Sequence, residues 1–185
     1  MTHSHDNLIK EHYKEQAGKH GASPASTMED EIVRQKEIAL IVSFFMLLGN
    51  NGLEVLDLGC GNGYTLEALT RTYPTHAYSG LDFSEDMLAV AQHRALPVRE
   101  WLHGDARTLP FKSGFFDVAY TERCLVNLLE WVDQKKALHE VCRVLKPGGY
   151  YLMIEGFTDG WANYNKARCE CGLDEIAQPY HNRFF

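Results

Sequence analysis

A glycine-rich segment is the part of this sequence that points most clearly to ligand binding. Residues 59–63 read Gly-Cys-Gly-Asn-Gly, and they follow an apolar run over residues 55–58 and precede a helical pattern that opens at Tyr64. Glycines suit such a turn because the backbone must bend sharply after the strand and because a missing Cβ lets a ligand approach. The pattern is typical of a turn that holds a nucleotide-type cofactor.

The spacing of the glycines argues against a dinucleotide. A G-x-G-x-x-G fingerprint that begins at Gly59 requires its third glycine at position 64, where this chain has Tyr64. A pyrophosphate also depends on tight capture by a helix N-terminus. A cofactor with an amino-acid end and a sulfonium needs backbone groups and electronegative groups instead, and that demand fits better. An NAD-dependent oxidoreductase is therefore disfavoured.

Two acidic residues follow later predicted strands. Asp82 ends the second strand, where a carboxylate can accept hydrogen bonds from both ribose hydroxyls, and Gly104 and Asp105 follow the third, where an acid can accept from an adenine amine. Each has a plainer explanation: Asp82 precedes the helix cap Ser84, and a Gly-Asp pair often forms a turn. Their order after the glycine turn favours the cofactor interpretation.

The elements that must position these residues indicate an α/β fold. After residue 52, short β-rich runs alternate with helical periodicity, as a parallel sheet with crossover helices requires. We predict helices opening at the capping sequence of residues 27–30 and at Ser84, and others near residues 134–145 and 161–171. The predicted strands are residues 54–58, 76–81, 99–103, 116–121 and 150–155. We expect a Rossmann-like, mostly parallel sheet with helices on both faces.

The ordered motifs resemble those of class I S-adenosylmethionine-dependent methyltransferases of the small-molecule type (type 11/25-like). The resemblance covers residues 53–156 and rests on five segments in order, which are residues 55–63, 80–84, 104–111, 116–119 and 141–149. It implies S-adenosylmethionine as the cofactor. It also implies methyl transfer to a small-molecule oxygen or nitrogen acceptor; the alternative is a module that binds the cofactor or its demethylated product without turnover.

The resemblance also implies roles for individual residues. The glycines of the turn would contact the methionine portion, Asp82 the ribose, and Asp105 with Ala106 the adenine, while residues 121–125 would border the sulfonium and the acceptor. The predicted cofactor-binding set is Asp57, Gly59, Cys60, Gly61, Gly63, Asp82, Phe83, Met87, Gly104, Asp105, Ala106, Glu122 and Arg123.

Catalysis by such a protein rests mainly on alignment of donor and acceptor, on exclusion of water and sometimes on a base. Glu122 and His181 are the candidate catalytic residues, and Glu155 is a further candidate base. Each also has a structural alternative: an acid that pairs with Arg123, an imidazole in an exposed tail, and a cap near residue 156.

The chain is expected to divide into an N-terminal arm and one domain. Residues 1–26 are polar and carry four histidines, which favours a solvated arm, and residues 27–185 form the methyltransferase domain with its core at residues 53–156. Family members often cover the cofactor with an N-terminal segment, so Tyr13 and Met28 are candidates for lid packing. Arg34 either meets the cofactor carboxylate or pairs within its own helix, for example with Asp30.

Composition and charge narrow the function classes. The net charge of -7 gives no basic footprint, which disfavours nucleic acid. No apolar run is long enough to cross a bilayer and no secretion signal opens the chain, so we expect a cytoplasmic protein. The five cysteines are an odd number, and we expect reduced thiols and no metal, with Cys169 and Cys171 partly buried on a helix.

The C-terminal segment departs from the family pattern. The family sheet usually ends in two further strands that form an antiparallel edge, whereas residues 156–185 offer only a short helix and a polar tail. We therefore expect the sheet to lack this hairpin. A shortened chain, a fragment and completion by a partner all remain open as explanations.

Overall fold

The computed structural model describes residues 2–49 and 51–185. Within them the elements follow in the order α1 (Thr2–His20), α2 (Glu31–Leu48), β1 (Glu54–Leu58), α3 (Tyr64–Thr72), β2 (Ala77–Asp82), α4 (Glu85–His93), β3 (Glu100–His103), β4 (Phe116–Glu122), α5 (Trp131–Val144), β5 (Leu145–Ile154) and α6 (Thr158–Glu170). Short 3-10 turns lie at Pro24–Ser26 and Leu125–Asn127.

The five strands form one sheet in the order β3-β2-β1-β4-β5, and every neighbouring pair is parallel. The chain runs outward from β1 to β2 and β3, and then crosses to β4 and β5 on the other side. The carboxyl ends of β1 and β4 therefore flank the point where the strand order reverses, which is where open α/β sheets bind ligands. The predicted Rossmann-like fold is confirmed.

Hydrophobic residues are buried on both faces of the sheet, as a parallel sheet covered by helices requires. Successive side chains of β1 point to opposite faces. Val55 packs in a cluster with Ile41 and Phe45 of α2, whereas Leu56 and Leu58 pack in a second cluster with residues of α5. The sheet thus separates two cores and holds the carboxyl end of β1 rigidly between them.

The expectation of a solvated N-terminal arm is wrong for residues 2–26. Residues 2–20 form α1, which contacts α4 and buries Ile9 and Ala17. These two side chains are eight positions apart, so they lie on one face of the helix. The domain boundary at residue 26 stays a prediction.

Several predicted boundaries are also corrected. The helix expected from residue 27 begins after Asp30, whose Oδ1 accepts the Val33 N–H at 3.0 Å. Thr27 instead donates to the Pro24 carbonyl at 3.3 Å and closes the preceding turn. The Ser84 cap is confirmed, since its hydroxyl accepts the Met87 N–H.

Differences near the C-terminus are larger. α5 ends at Val144 and β5 begins at once, because Leu145 pairs with Phe116, and a register shift then carries the strand on to Tyr150 opposite Val118. α6 spans Thr158–Glu170. Cys169 and Cys171 are exposed rather than partly buried. In the described residues the sheet holds no antiparallel strand pair, and no helix is long and apolar enough to cross a membrane.

Candidate active site

The glycine turn at the end of β1 adopts a conformation that other residues would strain. Gly59, Gly61 and Gly63 all have positive φ, at 82°, 52° and 73°. A Cβ on Gly59 would lie only 2.6 Å from the Cβ and Sγ of Cys124, and one on Gly61 would lie 3.1 Å from Thr27. Glycine is therefore required at both positions, because Cys124 and Thr27 pack directly against the backbone of the turn.

Asp82 joins the end of β2 to this turn. Its carboxylate accepts the Gly61 N–H at 2.7 Å and the Ser84 N–H at 2.8 Å. Burial raises the pKa of Asp82, and the N–H bonds from Ser84 and Gly61 offset only part of that effect. The carboxylate therefore sits at the carboxyl edge of the sheet, beside the turn, as the sequence predicts.

Asp105 follows β3 and is held by Arg107. The Arg107 guanidinium contacts Asp105 at 2.5 Å, Asp6 of α1 at 2.9 Å and Asp133 of α5 at 3.1 Å. One arginine thus links the third strand end to the first and fifth helices. The carboxylate proposed for adenine recognition is paired with a cation supplied by its own loop.

These strand ends enclose one cavity, whose empty volume is about 790 Å³ when the solvent at its mouth is counted. It lies at the carboxyl edge of the sheet, where the strand order reverses. The predicted site residues that line it are Gly59, Gly61, Asp82, Phe83, Met87, Asp105, Ala106, Glu122 and Arg123. Asp57, Cys60, Gly63, Gly104 and His181 are not among the lining residues.

Helix α1 supplies a wall of the cavity, of which the sequence analysis predicted only the Tyr13 position. Asp6, Ile9, Lys10 and Tyr13 line the cavity. Their spacing of three, four and seven positions is that of one helical face, and this signal was available in the sequence. The Lys10 ammonium lies 4.6 Å from the centre of the Phe83 ring. The predicted role of Tyr13 in lid packing agrees with this placement, whereas Thr27 rather than Met28 reaches the cavity.

A buried ion pair, Arg34 with Glu122, lies against the first turn of α3, the helix that follows the glycine turn. Arg34 of α2 donates to Glu122 at the end of β4 and to the Thr65 hydroxyl at 2.8 Å, and Thr65 donates to Glu122 at 2.7 Å. The Arg34 and Glu122 side chains are 4% and 6% exposed. Pairing of Arg34 within its own helix is therefore wrong as a prediction, because the guanidinium turns inward to a residue 88 positions away.

The pair fixes the charge of Glu122. Burial alone would raise the pKa of this carboxyl, but the positive charges of Arg34 and Arg123 outweigh burial and lower it. Arg123 also pairs with Glu37 and has a φ of 53°, an uncommon conformation for a residue with a side chain. Glu122 is thus a paired carboxylate in the cavity wall, and its assignment as a base stays a prediction.

Asp57 and His181 lie outside the cavity for different reasons. Asp57 is buried inside β1, and burial raises its pKa to about 8. His181 stacks on His12 of α1 with ring centres 4.0 Å apart, and burial together with the neighbouring His12 lowers its pKa to about 4. The structure brings neither side chain to the cavity, so a catalytic role for His181 gains no support from its position.

An open parallel sheet with a glycine turn after β1 and acids after β2 and β3 defines an α/β domain of the nucleotide-cofactor class. Comparison with known proteins identifies the family. Residues 55–149 match the family described as "Methyltransferase domain". The match spans more than half of the chain, so the chain belongs to this family of class I S-adenosylmethionine-dependent methyltransferases. The predicted family and cofactor are confirmed.

Individual relatives of the chain are also named as methyltransferases. Over 109 residues the chain is 40% identical to a demethylmenaquinone methyltransferase of Lactococcus lactis, a match that covers 56% of this chain and 42% of that protein. The protein of the same name from Staphylococcus aureus strain JH9 is 37% identical over 107 residues, which are 56% of this chain and 43% of that protein. The chain thus spans less than half the length of these relatives.

Solved structures share the fold of this chain. The PH0226 protein of Pyrococcus horikoshii has a TM-score of 0.63 at 28% identity, over 82% of this chain and 67% of that one. An S-adenosylmethionine-bound amino pentose methyltransferase from Micromonospora echinaspora has a TM-score of 0.58 at 27% identity, over 67% and 52% of the two chains.

Proposed function

We propose that this chain transfers the methyl group of S-adenosylmethionine to an oxygen or nitrogen atom of a small molecule. The observation that carries the proposal is the cavity at the carboxyl edge of the sheet, which brings together the glycine turn, Asp82 and Asp105 under helix α1. Gly59 and Gly61 line this cavity without a side chain, so a ligand in it can approach the backbone of the turn.

We assign the lining residues to parts of the cofactor as the family resemblance implies. Gly59 and Gly61 would face its amino-acid end, Asp82 its ribose, and Asp105 with Ala106 its adenine. Phe83 and Met87 would flank the adenine ring. Four predicted cofactor-binding residues do not line the cavity and would instead shape the turn and the end of the third strand. They are Asp57, Cys60, Gly63 and Gly104.

The Arg34–Glu122 pair supports a ligand with an ammonium group at the turn. Both side chains are almost fully buried beside Thr65, in the first turn of the helix that follows the glycines. Of the two, only Glu122 lines the cavity, so its carboxylate can meet the ammonium of an amino acid while Arg34 holds it in place. We propose that Glu122, positioned by Arg34, recognises the methionine portion.

Positioning would supply most of the catalysis. The bound cofactor supplies a methyl group on a positively charged sulfur, and the protein must align it with the acceptor and exclude water. Tyr13, Ile9 and Leu128 close the cavity. The lowered pKa of Glu122 makes this carboxylate a weak base, so we assign it a charge-holding role.

A small-molecule acceptor is supported by the relatives. The two bacterial relatives are named demethylmenaquinone methyltransferases, and the cofactor-bound neighbour is named an amino pentose methyltransferase. The acidic net charge of -7 also favours a small acceptor over nucleic acid.

The test is a methyl-transfer assay with radiolabelled S-adenosylmethionine and a panel of acceptors that includes demethylmenaquinone, phenols and amino sugars. We expect label on an oxygen or nitrogen atom of at least one acceptor, and loss of that transfer in Asp82→Ala. Label only on the ring carbon of demethylmenaquinone would contradict the proposed acceptor atom. Tight cofactor binding without transfer to any acceptor would favour the non-catalytic binding module. Absence of both binding and transfer would contradict the proposal.

A further inference from the structure

The partly buried carboxylate of Glu155 accepts hydrogen bonds from the loop that follows β4. Its Oε1 accepts the N–H groups of Cys124 at 3.2 Å and Leu125 at 3.0 Å, and its Oε2 accepts the N–H of Val126 at 3.1 Å. Three consecutive backbone donors thus converge on one side chain. Because both oxygens are engaged with the backbone, Glu155 is poorly placed to accept a proton from an acceptor molecule.

The loop held in this way forms one wall of the cavity. Cys124, Asn127 and Leu128 line it, and the Cys124 side chain lies against Gly59 of the glycine turn. A displaced loop would therefore change the space next to the turn.

The same loop is also hydrogen-bonded to helix α1. The Asn127 side-chain amide donates to the Tyr13 hydroxyl of α1 at 3.1 Å and to the Arg123 carbonyl at 2.8 Å. Tyr13 also lines the cavity. A continuous set of hydrogen bonds therefore runs from Glu155 through the loop to α1.

We infer that Glu155 is a positioning residue, which fixes residues 124–127 so that the Cys124 wall and the Tyr13 lid stand in the geometry that binds the cofactor. The inference rests on the proposed function, since it deepens the account of the same site. This role requires a negatively charged hydrogen-bond acceptor at position 155, because three backbone N–H donors point at that side chain.

Glu155→Gln is the central variant. The amide matches the carboxylate in size, but its NH2 group would face backbone N–H donors. Glu155→Asp keeps the charge and loses one methylene. Charge recognition therefore predicts that Asp retains more function than Gln, whereas a role in filling space predicts the reverse. Burial raises the pKa of Glu155 to about 7, so the comparison is made at pH 8.5, where the carboxyl is ionised.

Asp117→Asn is a matched control. Asp117 also accepts a backbone N–H, that of Glu54 at 2.9 Å, but does so at the opposite edge of the sheet. The readouts are calorimetric affinity for S-adenosylhomocysteine and amide hydrogen exchange at Leu125 and Val126. We expect Glu155→Gln to weaken affinity by on the order of tenfold, Glu155→Asp to weaken it less, and Asp117→Asn to leave it unchanged.

Wild-type affinity in a folded Glu155→Gln protein, or a Gln variant that binds better than the Asp variant, would overturn the inference. If Glu155→Gln does not fold, Glu155→Asp is the test. Amide exchange at Leu125 and Val126 that is equal to or slower than in wild type would overturn the inference, whereas faster exchange with weaker affinity would support it. Failure of the wild-type protein to bind S-adenosylhomocysteine would instead overturn the proposed function, and exchange at Leu125 and Val126 would still test the hold of Glu155 on the loop.

Discussion

At the scale of single residues, the environment gives chemically similar acids different roles. Asp82 is partly buried beside two N–H donors, Glu122 is paired with Arg34, and Asp57 is buried deeply enough to raise its pKa to about 8. Sequence motifs predicted the positions of all three acids. They could not predict the partner of Glu122, because Arg34 lies 88 positions away and only the packing of α2 against α3 brings it close.

Asp82→Ala should weaken binding of S-adenosylmethionine by more than about 1.5 kcal/mol, since two charge-assisted hydrogen bonds would be lost. The turn would also lose its bond from the Gly61 N–H. Calorimetry measures the change. Asp86→Ala, the same substitution at an exposed position on α4, is the control and should bind like wild type. Equal affinities for the two variants would rule out the assigned role of Asp82.

Arg34→Met should destabilise the fold by about 3–5 kcal/mol, because it leaves Glu122 as a buried charge without its main partner. The double variant Arg34→Met/Glu122→Leu removes both charges and should recover most of that loss in urea unfolding. We expect the double variant to bind S-adenosylmethionine weakly despite its stability. Wild-type affinity in a stable double variant would contradict recognition of the cofactor by the pair.

Asp57→Asn should change how stability depends on pH. The folded-state pKa of Asp57 is raised above its unfolded value, so its contribution to stability is full below about pH 4 and is lost as the pH rises through about 8. The asparagine does not titrate. The unfolding free energy of the variant minus that of wild type should therefore increase across this range in denaturant titrations, and a constant difference would show that the pKa of Asp57 is not raised.

At the scale of elements, strands were predicted better than helices at the chain ends. The β1 bounds agree at both ends, because an apolar run leads directly into glycines. The helix α1 was missed, because most of its side chains are polar and, of those whose burial is described, only Ile9 and Ala17 are buried. The start of β5 was misplaced by the Pro147-Gly148-Gly149 sequence, which is typical of a turn but here lies inside the strand.

Ile9→Ala should loosen α1 from the cavity. Ile9 is 7% exposed and lines the site, so truncation should cost about 2 kcal/mol or more and weaken cofactor binding. Leu8 of the same helix is 36% exposed and does not line the cavity, and Leu8→Ala should change both quantities little. Thermal unfolding and calorimetry on the two variants make the comparison. Identical effects would mean that α1 does not act as a lid.

At the scale of the whole molecule, charge distribution agrees with a cationic cofactor. Among the described residues, the cavity is lined by four acids, Asp6, Asp82, Asp105 and Glu122, and by three bases, Lys10, Arg107 and Arg123. Both arginines are paired with carboxylates. Few positive charges are thus free to meet a pyrophosphate, whereas the lining acids outnumber the lining bases by one, which favours a sulfonium. The fold and the cofactor were predictable because five motifs occur in order, but the acceptor was not, because it depends on segments without such motifs.

Calorimetric titration of the purified chain with S-adenosylmethionine, S-adenosylhomocysteine and NAD tests the central claim most directly. We expect saturable binding of one molecule of each of the first two ligands per chain, and no measurable heat of binding with NAD. Binding of NAD together with no binding of S-adenosylmethionine would contradict the claim.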